Sequence, residues 1–194
     1  MIAALRTWLA AHRVAMLLLA GGALLGVALS AGGKVALDAT NRTEFCISCH
    51  EMKAQNFTEY SQTIHARNRT GVKAGCADCH VPHTFPDVLW RKIGAANDVW
   101  QHLMGKIDTP EKFEAHRAEL AHKVWRRMKE TDSRECRSCH DAGAMLADLQ
   151  GKTAQKQHKR LQTDGKTCID CHYGIAHKEP GGEPADVVGA APQH

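Results

Sequence analysis

The chain has 194 residues; 24% of them are charged, only 5% are aromatic, and the formal net charge is +4. So few aromatic side chains in a chain of this length cannot build a large hydrophobic core from protein alone. No run of basic residues is interleaved with aromatic residues, which argues against a nucleic-acid-binding protein.

An uncharged, strongly apolar segment over residues 14–33 is the first element of the chain. Its 20 residues would form a helix of about 30 Å, the thickness of the hydrocarbon core of a bilayer. Arg6 and Arg13 precede the segment, so the positive-inside rule predicts that residues 1–13 are cytoplasmic and that the following chain lies outside. The apolar part of a signal peptide has only about 7–15 residues, and we therefore favour a transmembrane anchor over a signal peptide cleaved near Ser30.

All eight cysteines of the chain fall in four copies of the motif Cys-x-x-Cys-His. The copies are Cys46–Cys49–His50, Cys76–Cys79–His80, Cys136–Cys139–His140 and Cys168–Cys171–His172. This motif attaches c-type haem: its two thiols form thioethers with the porphyrin, and its histidine is offered to the iron. Eight cysteines could instead form two zinc sites of four thiolates each, but zinc does not require a histidine after every pair. The motifs therefore predict four covalently bound haem c groups, which together can carry single electrons.

Four haem groups would supply the interior that the protein itself lacks, and we expect the haem-free chain to be largely unfolded. Each haem carries two propionates, so the net charge of +4 would become about −4 in the loaded protein. Because c-type haem is attached outside the cytoplasm, the motifs agree with the topology of the apolar segment. Together they predict a single-pass protein of the bacterial inner membrane with its haem domain, residues 34–179, in the periplasm.

The four motifs form an internal repeat. The first and third read Cys-x-Ser-Cys-His, and the second and fourth read Cys-x-Asp-Cys-His. The motifs start at residues 46, 76, 136 and 168, so the gaps within the two pairs are 30 and 32 residues. This pattern predicts two dihaem units in tandem.

The longest helical patterns lie between the two pairs of motifs. Apolar residues recur at helical spacing over 88–107, and a second helix begins with Thr109 as N-cap and Pro110 at its first position. This second helix ends near Asp132, and its charged residues are interpreted as a solvated face. They are Glu111, Glu114, Arg117, Lys123 and Arg127.

No segment has the alternation of a β-strand, so the fold class is mainly α, with one N-terminal transmembrane helix and a compact multihaem domain. The last residues, 180–194, are rich in Gly, Pro and Ala and are expected to form a flexible tail.

A second axial ligand for each iron has to come from outside the motif that binds the haem. His80, His140 and His172 are the motif ligands of the second, third and fourth irons. His102, His116 and His122 lie on the predicted helices and are interpreted as surface residues, while His12 lies beside the apolar segment and His194 in the tail. The better candidates lie in the loops near the motifs: His65, His83, His158 and His177. Met52 follows His50 by two positions and could either bind iron or pack against the ring.

The sequence resembles the NapC/NirT/NrfH family of membrane-anchored tetrahaem quinol dehydrogenases, from the N-terminal segment to Gly174-Ile-Ala-His177. The residues that carry the resemblance include Cys46-Ile-Ser-Cys-His-Glu-Met52, Ile64-His-Ala-Arg-Asn-Arg-Thr-Gly71, Cys76-Ala-Asp-Cys-His-Val-Pro-His83, Asp108-Thr-Pro-Glu-Lys-Phe113 and Cys168-Ile-Asp-Cys-His172. The resemblance implies a protein that oxidises menaquinol or ubiquinol in the membrane. It would pass the electrons through four haems to a periplasmic reductase or cytochrome, for example in nitrate or nitrite reduction.

The resemblance also implies a set of iron ligands. Met52, rather than His50, would face the first iron, with Asp98 on the opposite side. His65 would bind the third iron and His177 the second. The fourth iron would take a ligand from a partner protein or from this chain, where His158 is the candidate. His83 is kept as an alternative near the first haem.

The same resemblance implies a quinol site formed by Lys92, Asp98 and Glu51. Quinol oxidation releases two protons, so proton acceptors and a cation for the quinone oxygen are expected there. Lys92 and Asp98 are six residues apart, which on a regular helix separates them by about 120°. The alternative function is an electron shuttle that another protein reduces and that has no quinol site. A single anchor helix and an open fourth haem favour an oligomeric complex with the reductase, although the sequence leaves the oligomeric state open.

Overall fold

The computed structural model describes residues 2–180, and this part of the chain consists of helices and loops without any β-strand. The mainly helical fold class is therefore confirmed. The chain divides into two units, one ending at Asn41 and one beginning at Arg42. The tail predicted for residues 180–194 lies outside the described residues, apart from Pro180.

The first unit is a single long helix, α1, over Ile2–Asn41. Its part from Ala10 to Asn41 contains an 18-residue window with a mean hydropathy of 2.2, and α1 is the one helix of the described chain that is long and apolar enough to cross a membrane. The helix continues eight residues beyond the predicted end of the span at residue 33. Lys34 and Asp38 favour this continuation, because they form an ion pair of 2.7 Å one helical turn apart.

The second unit consists of short helices around the motifs and three longer helices between them. The α-helices are α2 (Thr43–Cys46), α3 (Thr58–Tyr60), α4 (Cys76–His80), α5 (Asp87–Leu103), α6 (Pro110–Glu130), α7 (Arg134–Arg137) and α8 (Lys152–Thr163). A π-helix over Met52–Phe57 leads into α3, and 3₁₀ turns cover Ala142–Ala144, Ala147–Leu149 and Cys168–Asp170. The first cysteine of every motif thus lies in a short helix or helical turn.

The junction between α5 and α6 partly follows the sequence pattern. The N-cap is confirmed, because the Thr109 side chain accepts a hydrogen bond of 3.3 Å from the Lys112 N–H, and Pro110 opens the helix. The predicted extension of the first helix to residue 107 is wrong, since α5 ends at Leu103. Gly105 has a φ of +63°, and this left-handed residue turns the chain before the apolar pattern ends.

The apolar core of the second unit is small. Trp125 and Met128 on α6 pack against Ile169 in the turn of the fourth motif, with Tyr173 and Cys79 at the edge. Next to Met128 on α6, the buried Lys129 amine donates a hydrogen bond of 2.7 Å to the Asp170 carboxylate. The core therefore joins α6 directly to the second and fourth motifs.

The prediction of a solvated charged face on α6 is wrong for two residues. Arg127 is partly buried, with an inaccessible Nη2 atom. Arg117 is only 6% exposed. Its guanidinium donates hydrogen bonds to Glu59 at 3.0 Å and to Glu114 at 2.7 and 2.8 Å. It also donates to the Lys178 carbonyl and lies 4.9 Å from the centroid of the Phe113 ring. Glu59 and Lys178 are distant in sequence, which is why helical periodicity alone does not identify this buried cation.

Candidate haem sites

Hydrogen bonds within the first and third motifs are equivalent. The Ser48 hydroxyl donates to the Phe45 carbonyl at 2.7 Å, and the Ser138 hydroxyl donates to the Glu135 carbonyl at 2.6 Å. In both cases the acceptor is the residue before the first cysteine of the motif. The serine that distinguishes these two motifs in sequence therefore has the same structural role in each: it tightens the short helix that carries the cysteine.

The second and fourth motifs share a different arrangement. The Asp78 carboxylate accepts a hydrogen bond of 2.6 Å from the Gly75 N–H, and the Asp170 carboxylate accepts one of 2.6 Å from the Thr167 N–H. Each aspartate thus caps the helical turn on which its own two cysteines lie. The sequence repeat is consequently also a structural repeat.

Thiol contacts join the motifs in pairs. The Cys46 and Cys76 thiols share a hydrogen bond, as do the Cys136 and Cys168 thiols. These hydrogen bonds lower the pKa of Cys76 and of Cys168 to about 6. The first motif is therefore joined to the second and the third to the fourth, which is the grouping that the repeat predicts. Haem groups on the two members of a pair would be attached through neighbouring sulfur atoms.

Three pairs of histidine rings among residues 2–180 have the spacing of two ligands on one metal ion. The ring centroids are 6.2 Å apart for His65 and His140, for His80 and His177, and for His158 and His172. A metal–nitrogen bond of about 2.0–2.1 Å, plus roughly 1.1 Å from nitrogen to ring centroid, separates two opposed imidazoles by about 6.2–6.4 Å. Each pair combines a motif histidine with one of the candidates that the sequence placed in loops. His65 and His177 do lie in loops, whereas the loop prediction is wrong for His158, which lies on α8.

The environment of these rings fits iron ligation. The Nδ1 atoms of His65 and His177 are buried, and contacts with the backbone at Ile175 and at Asn56 act to raise the pKa of the two rings. Burial lowers the pKa of both rings and lowers the pKa of His80 to about 3, which keeps the imidazoles neutral, as metal ligands must be. His158 contacts the Gln150 side chain through Nδ1 at 2.7 Å, an outer contact of the kind that orients a ligand whose Nε2 faces a metal.

The first motif is built differently from the other three. The His50 ring lies 6.0 Å from the His102 ring, but the buried Glu51 carboxylate contacts the Nδ1 atoms of both. The His50 Nε2 lies 3.0 Å from the Asp108 carbonyl oxygen. The Nε2 of His50 is thus engaged by a protein atom, and its Nδ1 lies 3.2 Å from the Glu51 Oε2 without a hydrogen bond, so this pair does not surround a metal position as the other pairs do.

Met52 stands at the start of the π-helix that follows the first motif. Its sulfur accepts a hydrogen bond of 3.2 Å from the Asn56 side chain, four residues further on. Single turns of π-helix occur frequently at functional sites, because they re-aim side chains that a regular helix would space evenly. No pattern in the sequence predicts this turn.

The residues expected at the quinol site lie in three different environments. Glu51 is 4% exposed, between His50 and His102. Burial lowers the pKa of Lys92, and the nearby Cys46 thiol acts in the opposite direction, so Lys92 lies beside the first motif. Asp98 is exposed, and its carboxylate is 3.5 Å from the Arg91 guanidinium.

Two histidines differ in their surroundings from the other candidates. His83 is half exposed, and its Nε2 lies 4.0 Å from the Asp78 carboxylate of the second motif. The interpretation of His102 as a surface residue is wrong, because it is partly buried and contacts Glu51. Its partial burial results from a contact with an acid that lies 51 residues earlier in the chain. Helical periodicity does not predict such a distant contact.

The fold and the paired motifs define a class of protein: a helical c-type cytochrome with several covalent haem sites. The family model described as NapC/NirT cytochrome c family, N-terminal region, matches residues 9–182, and the chain belongs to this family. It is therefore an electron-transfer cytochrome with covalently bound haem c.

Curated relatives agree with this assignment. The denitrification system component NirT of Stutzerimonas stutzeri is 49% identical over 161 residues, which cover 83% of this chain and 80% of NirT. The cytochrome c-type protein NapC of Escherichia coli K12 is 45% identical over 174 residues, 89% of this chain and 87% of NapC. The cytochrome c-type protein TorC of the same strain is 48% identical over 164 residues, 84% of this chain but only 42% of TorC. No solved structure matches the chain.

Proposed function

We propose that this protein is a tetrahaem cytochrome that oxidises membrane quinol and passes the electrons to a periplasmic reductase in anaerobic respiration. It would be anchored in the bacterial inner membrane by α1, with the second unit in the periplasm. Only five positions separate Asn41, the last residue of α1, from Cys46. The first haem would therefore be attached only a few residues after the anchor helix.

The distinct construction of the first motif is the observation that carries this proposal. A carrier that only relays electrons could use four equivalent haem sites, as the repeat would suggest. Here the Asp108 carbonyl engages the Nε2 of His50 and the Glu51 carboxylate lies 3.2 Å from its Nδ1, while Met52 starts an irregular helical turn. We propose that Met52 takes the place of His50 at the first iron, with Asp98 towards the opposite side. Thioether ligation raises the reduction potential of an iron relative to ligation by imidazole alone.

The three ring pairs supply the remaining ligands in this proposal. His177 and His80 would bind the second iron, His65 and His140 the third, and His158 and His172 the fourth. Both histidine ligands of the fourth iron would then come from this chain, without a ligand from a partner. Haem iron, when bound, takes up and releases one electron at a time. The chain contributes by holding each pair of imidazoles at the separation that one iron requires.

The chain's own acids and bases would handle the protons at the first site. Oxidation of a quinol to a quinone releases two electrons and two protons. The haem groups would take up the electrons one at a time, and the protons need acceptors close to the two quinol oxygens. We assign this role to Glu51 and Asp98, and we assign to Lys92 the stabilisation of the developing negative charge on a quinol oxygen.

Reduction of the full-length protein by quinol tests the proposal directly. The loaded protein, purified in detergent, is mixed without oxygen with a menaquinol analogue or a ubiquinol analogue, and haem absorption is followed. We expect reduction of the parent protein and loss of this reduction in Lys92→Ala and in Asp98→Ala, with unchanged haem content. Lys123→Ala, an exposed lysine of α6, should behave like the parent.

Two results would contradict the proposal at different levels. A parent protein that dithionite reduces but neither quinol does would be a shuttle supplied by another protein. Quinol reduction at the parent rate in both variants would leave the function intact but refute the assignment of Lys92 and Asp98.

A further inference from the structure

His177, the proposed second ligand of the second iron, lies in an irregular segment near the end of the described chain. Residues 176–180 have neither helix nor strand, and they form no backbone–backbone hydrogen bond with any described residue. A side chain that binds iron at a fixed distance needs a backbone that is held in place. Other parts of the chain therefore have to hold this segment through their side chains.

Two side chains hold the backbone of Lys178, the residue that follows His177. The Glu59 carboxylate accepts a hydrogen bond of 2.9 Å from the Lys178 N–H, and the Arg117 guanidinium donates one of 3.2 Å to the Lys178 carbonyl. The Lys178 N–H belongs to the planar peptide unit that begins at the Cα atom of His177. The contact with Glu59 thus fixes the peptide plane to which His177 is attached.

Glu59 and Arg117 also fix each other. The Arg117 guanidinium donates a hydrogen bond of 3.0 Å to Glu59, and Arg117 is only 6% exposed. Hydrogen bonds between a guanidinium and a carboxylate are stronger and better defined in geometry than those between neutral groups. A buried ion pair adds little net stability compared with apolar residues of similar size, so its presence here favours a role in fixing a position.

The segment that carries Glu59 also contacts the His177 ring. This ring lies against the backbone at Asn56, three residues before Glu59, and its centroid is 6.2 Å from that of His80. The imidazole and the peptide unit after it are therefore both held by the segment that follows the first motif. Two separate contacts of this kind restrict rotation of the ring away from His80.

We propose that Glu59 and Arg117 are positioning residues of the second iron, which hold the peptide unit after His177 so that its imidazole stays opposite His80. Neither side chain would touch the iron, and both act through His177. The inference rests on the proposed pairing of His177 with His80, and it holds whether or not quinol is the electron donor. Substitution of either residue should loosen one axial ligand and leave the other three irons unchanged.

The rate of carbon monoxide binding to the full-length, haem-loaded, dithionite-reduced protein measures this loosening. Carbon monoxide binds only while the axial ligand is away from the iron, so the rate follows the fraction of time that the iron is open. His177→Ala should add one fast-binding haem to those of the parent. Glu59→Ala and Arg117→Ala should also add one haem, which binds about tenfold or more faster than in the parent, because each variant loses a hydrogen bond that involves a charged group.

A double variant identifies the iron that is affected. Glu59→Ala combined with His177→Ala should show the same single additional haem as His177→Ala alone, because both substitutions act on one ligand. Two additional haem groups in the double variant would place the effect of Glu59 at another iron and overturn the proposal.

The matched control is Glu114→Ala. Glu114 is the other carboxylate partner of Arg117, with hydrogen bonds of 2.7 and 2.8 Å, but it forms no hydrogen bond with Lys178. This variant should bind carbon monoxide like the parent. Glu59→Gln keeps a side-chain oxygen that can accept from the Lys178 N–H, and it should restore most of the parental behaviour.

Three further results would overturn the proposal. They are parental carbon monoxide binding in both Glu59→Ala and Arg117→Ala, an equal acceleration in Glu114→Ala, and no additional haem in His177→Ala. The last of these would refute the pairing of His177 with His80, whereas quinol oxidation is tested separately. If no alanine variant of Glu59 or Arg117 accumulates loaded protein, Arg117→Lys decides the matter. Its ammonium lacks the planar fork that joins Glu59 to the Lys178 carbonyl, so the additional phase should remain, and parental binding would contradict the assignment.

Discussion

Replacement of the buried Arg117 by alanine should destabilise the second unit through a defined set of contacts. The substitution removes one of the two partners of Glu59, which keeps the Lys178 N–H, the arginine partner of Glu114 and a donor to the Lys178 carbonyl. Loss of one member of a buried ion pair costs about 3–5 kcal/mol. The side chain of Glu59 is 20% exposed and that of Glu114 is 45% exposed, so we expect the lower end, about 3 kcal/mol.

Guanidinium unfolding of the full-length, haem-loaded protein, followed by Soret absorption, measures this loss. With a slope of about 4 kcal/mol per molar, a loss of about 3 kcal/mol lowers the midpoint by roughly 0.7 M. Arg126→Ala, on the exposed side of the same helix, is the matched control and should change the midpoint little. If the midpoint of Arg117→Ala equals that of the control, the buried Arg117 does not stabilise the second unit.

The difference in unfolding free energy between the parent and Arg117→Ala should also depend on pH. Burial acts to raise the pKa of Glu59, but hydrogen bonds from Arg117 and the Lys178 N–H outweigh it and hold this pKa below its ordinary value of 4.5. A lowered pKa in the folded state stabilises the protein above the ordinary pKa, and this contribution is lost as pH falls through the lowered value. The difference in unfolding free energy between the parent and Arg117→Ala should therefore be constant near neutral pH and should decrease below about pH 4.5.

Further predictions concern single contacts around the motifs. Ser133 is fully buried and accepts a hydrogen bond of 3.1 Å from the Ile169 N–H, so Ser133→Ala should cost about 1–3 kcal/mol of unfolding free energy; a parental unfolding midpoint would contradict this. Thr109→Ala removes the N-cap of α6 and should cost about 1 kcal/mol in the same assay, whereas Thr109→Ser should restore it. His158→Ala should add a high-spin signal of one iron to the electron paramagnetic resonance spectrum of the parent, and a spectrum identical to that of the parent would refute the pairing of His158 with the fourth iron.

Local features of the fold could be predicted from the sequence because they depend on neighbouring residues. The apolar run of α1 and the cap at Thr109 are of this kind. The end of α5 was not predictable from apolar periodicity, since the pattern continues to residue 107 while the left-handed Gly105 turns the chain. The extension of α1 beyond residue 33 likewise depends on an ion pair that hydropathy ignores.

In the candidate sites, too, contacts between neighbouring residues could be predicted and contacts between distant residues could not. The attachment motifs are contiguous and could be read directly, whereas the histidine pairs join residues as far apart as His80 and His177. These pairings came from the resemblance to a known family, and the structure brings the rings together. The burial of Arg117 and the contact of His102 with Glu51 were both missed, because their partners lie more than 50 residues away in sequence.

Intact-mass spectrometry of the chain, expressed in a host that attaches c-type haem, counts the haem groups that the four motifs bind. We expect the mass of the polypeptide plus four haem groups, together with haem absorption that stays with the polypeptide after denaturation because the attachment is covalent. A protein that carries only the mass of its amino acids, or fewer than four haem groups after complete maturation, would contradict it.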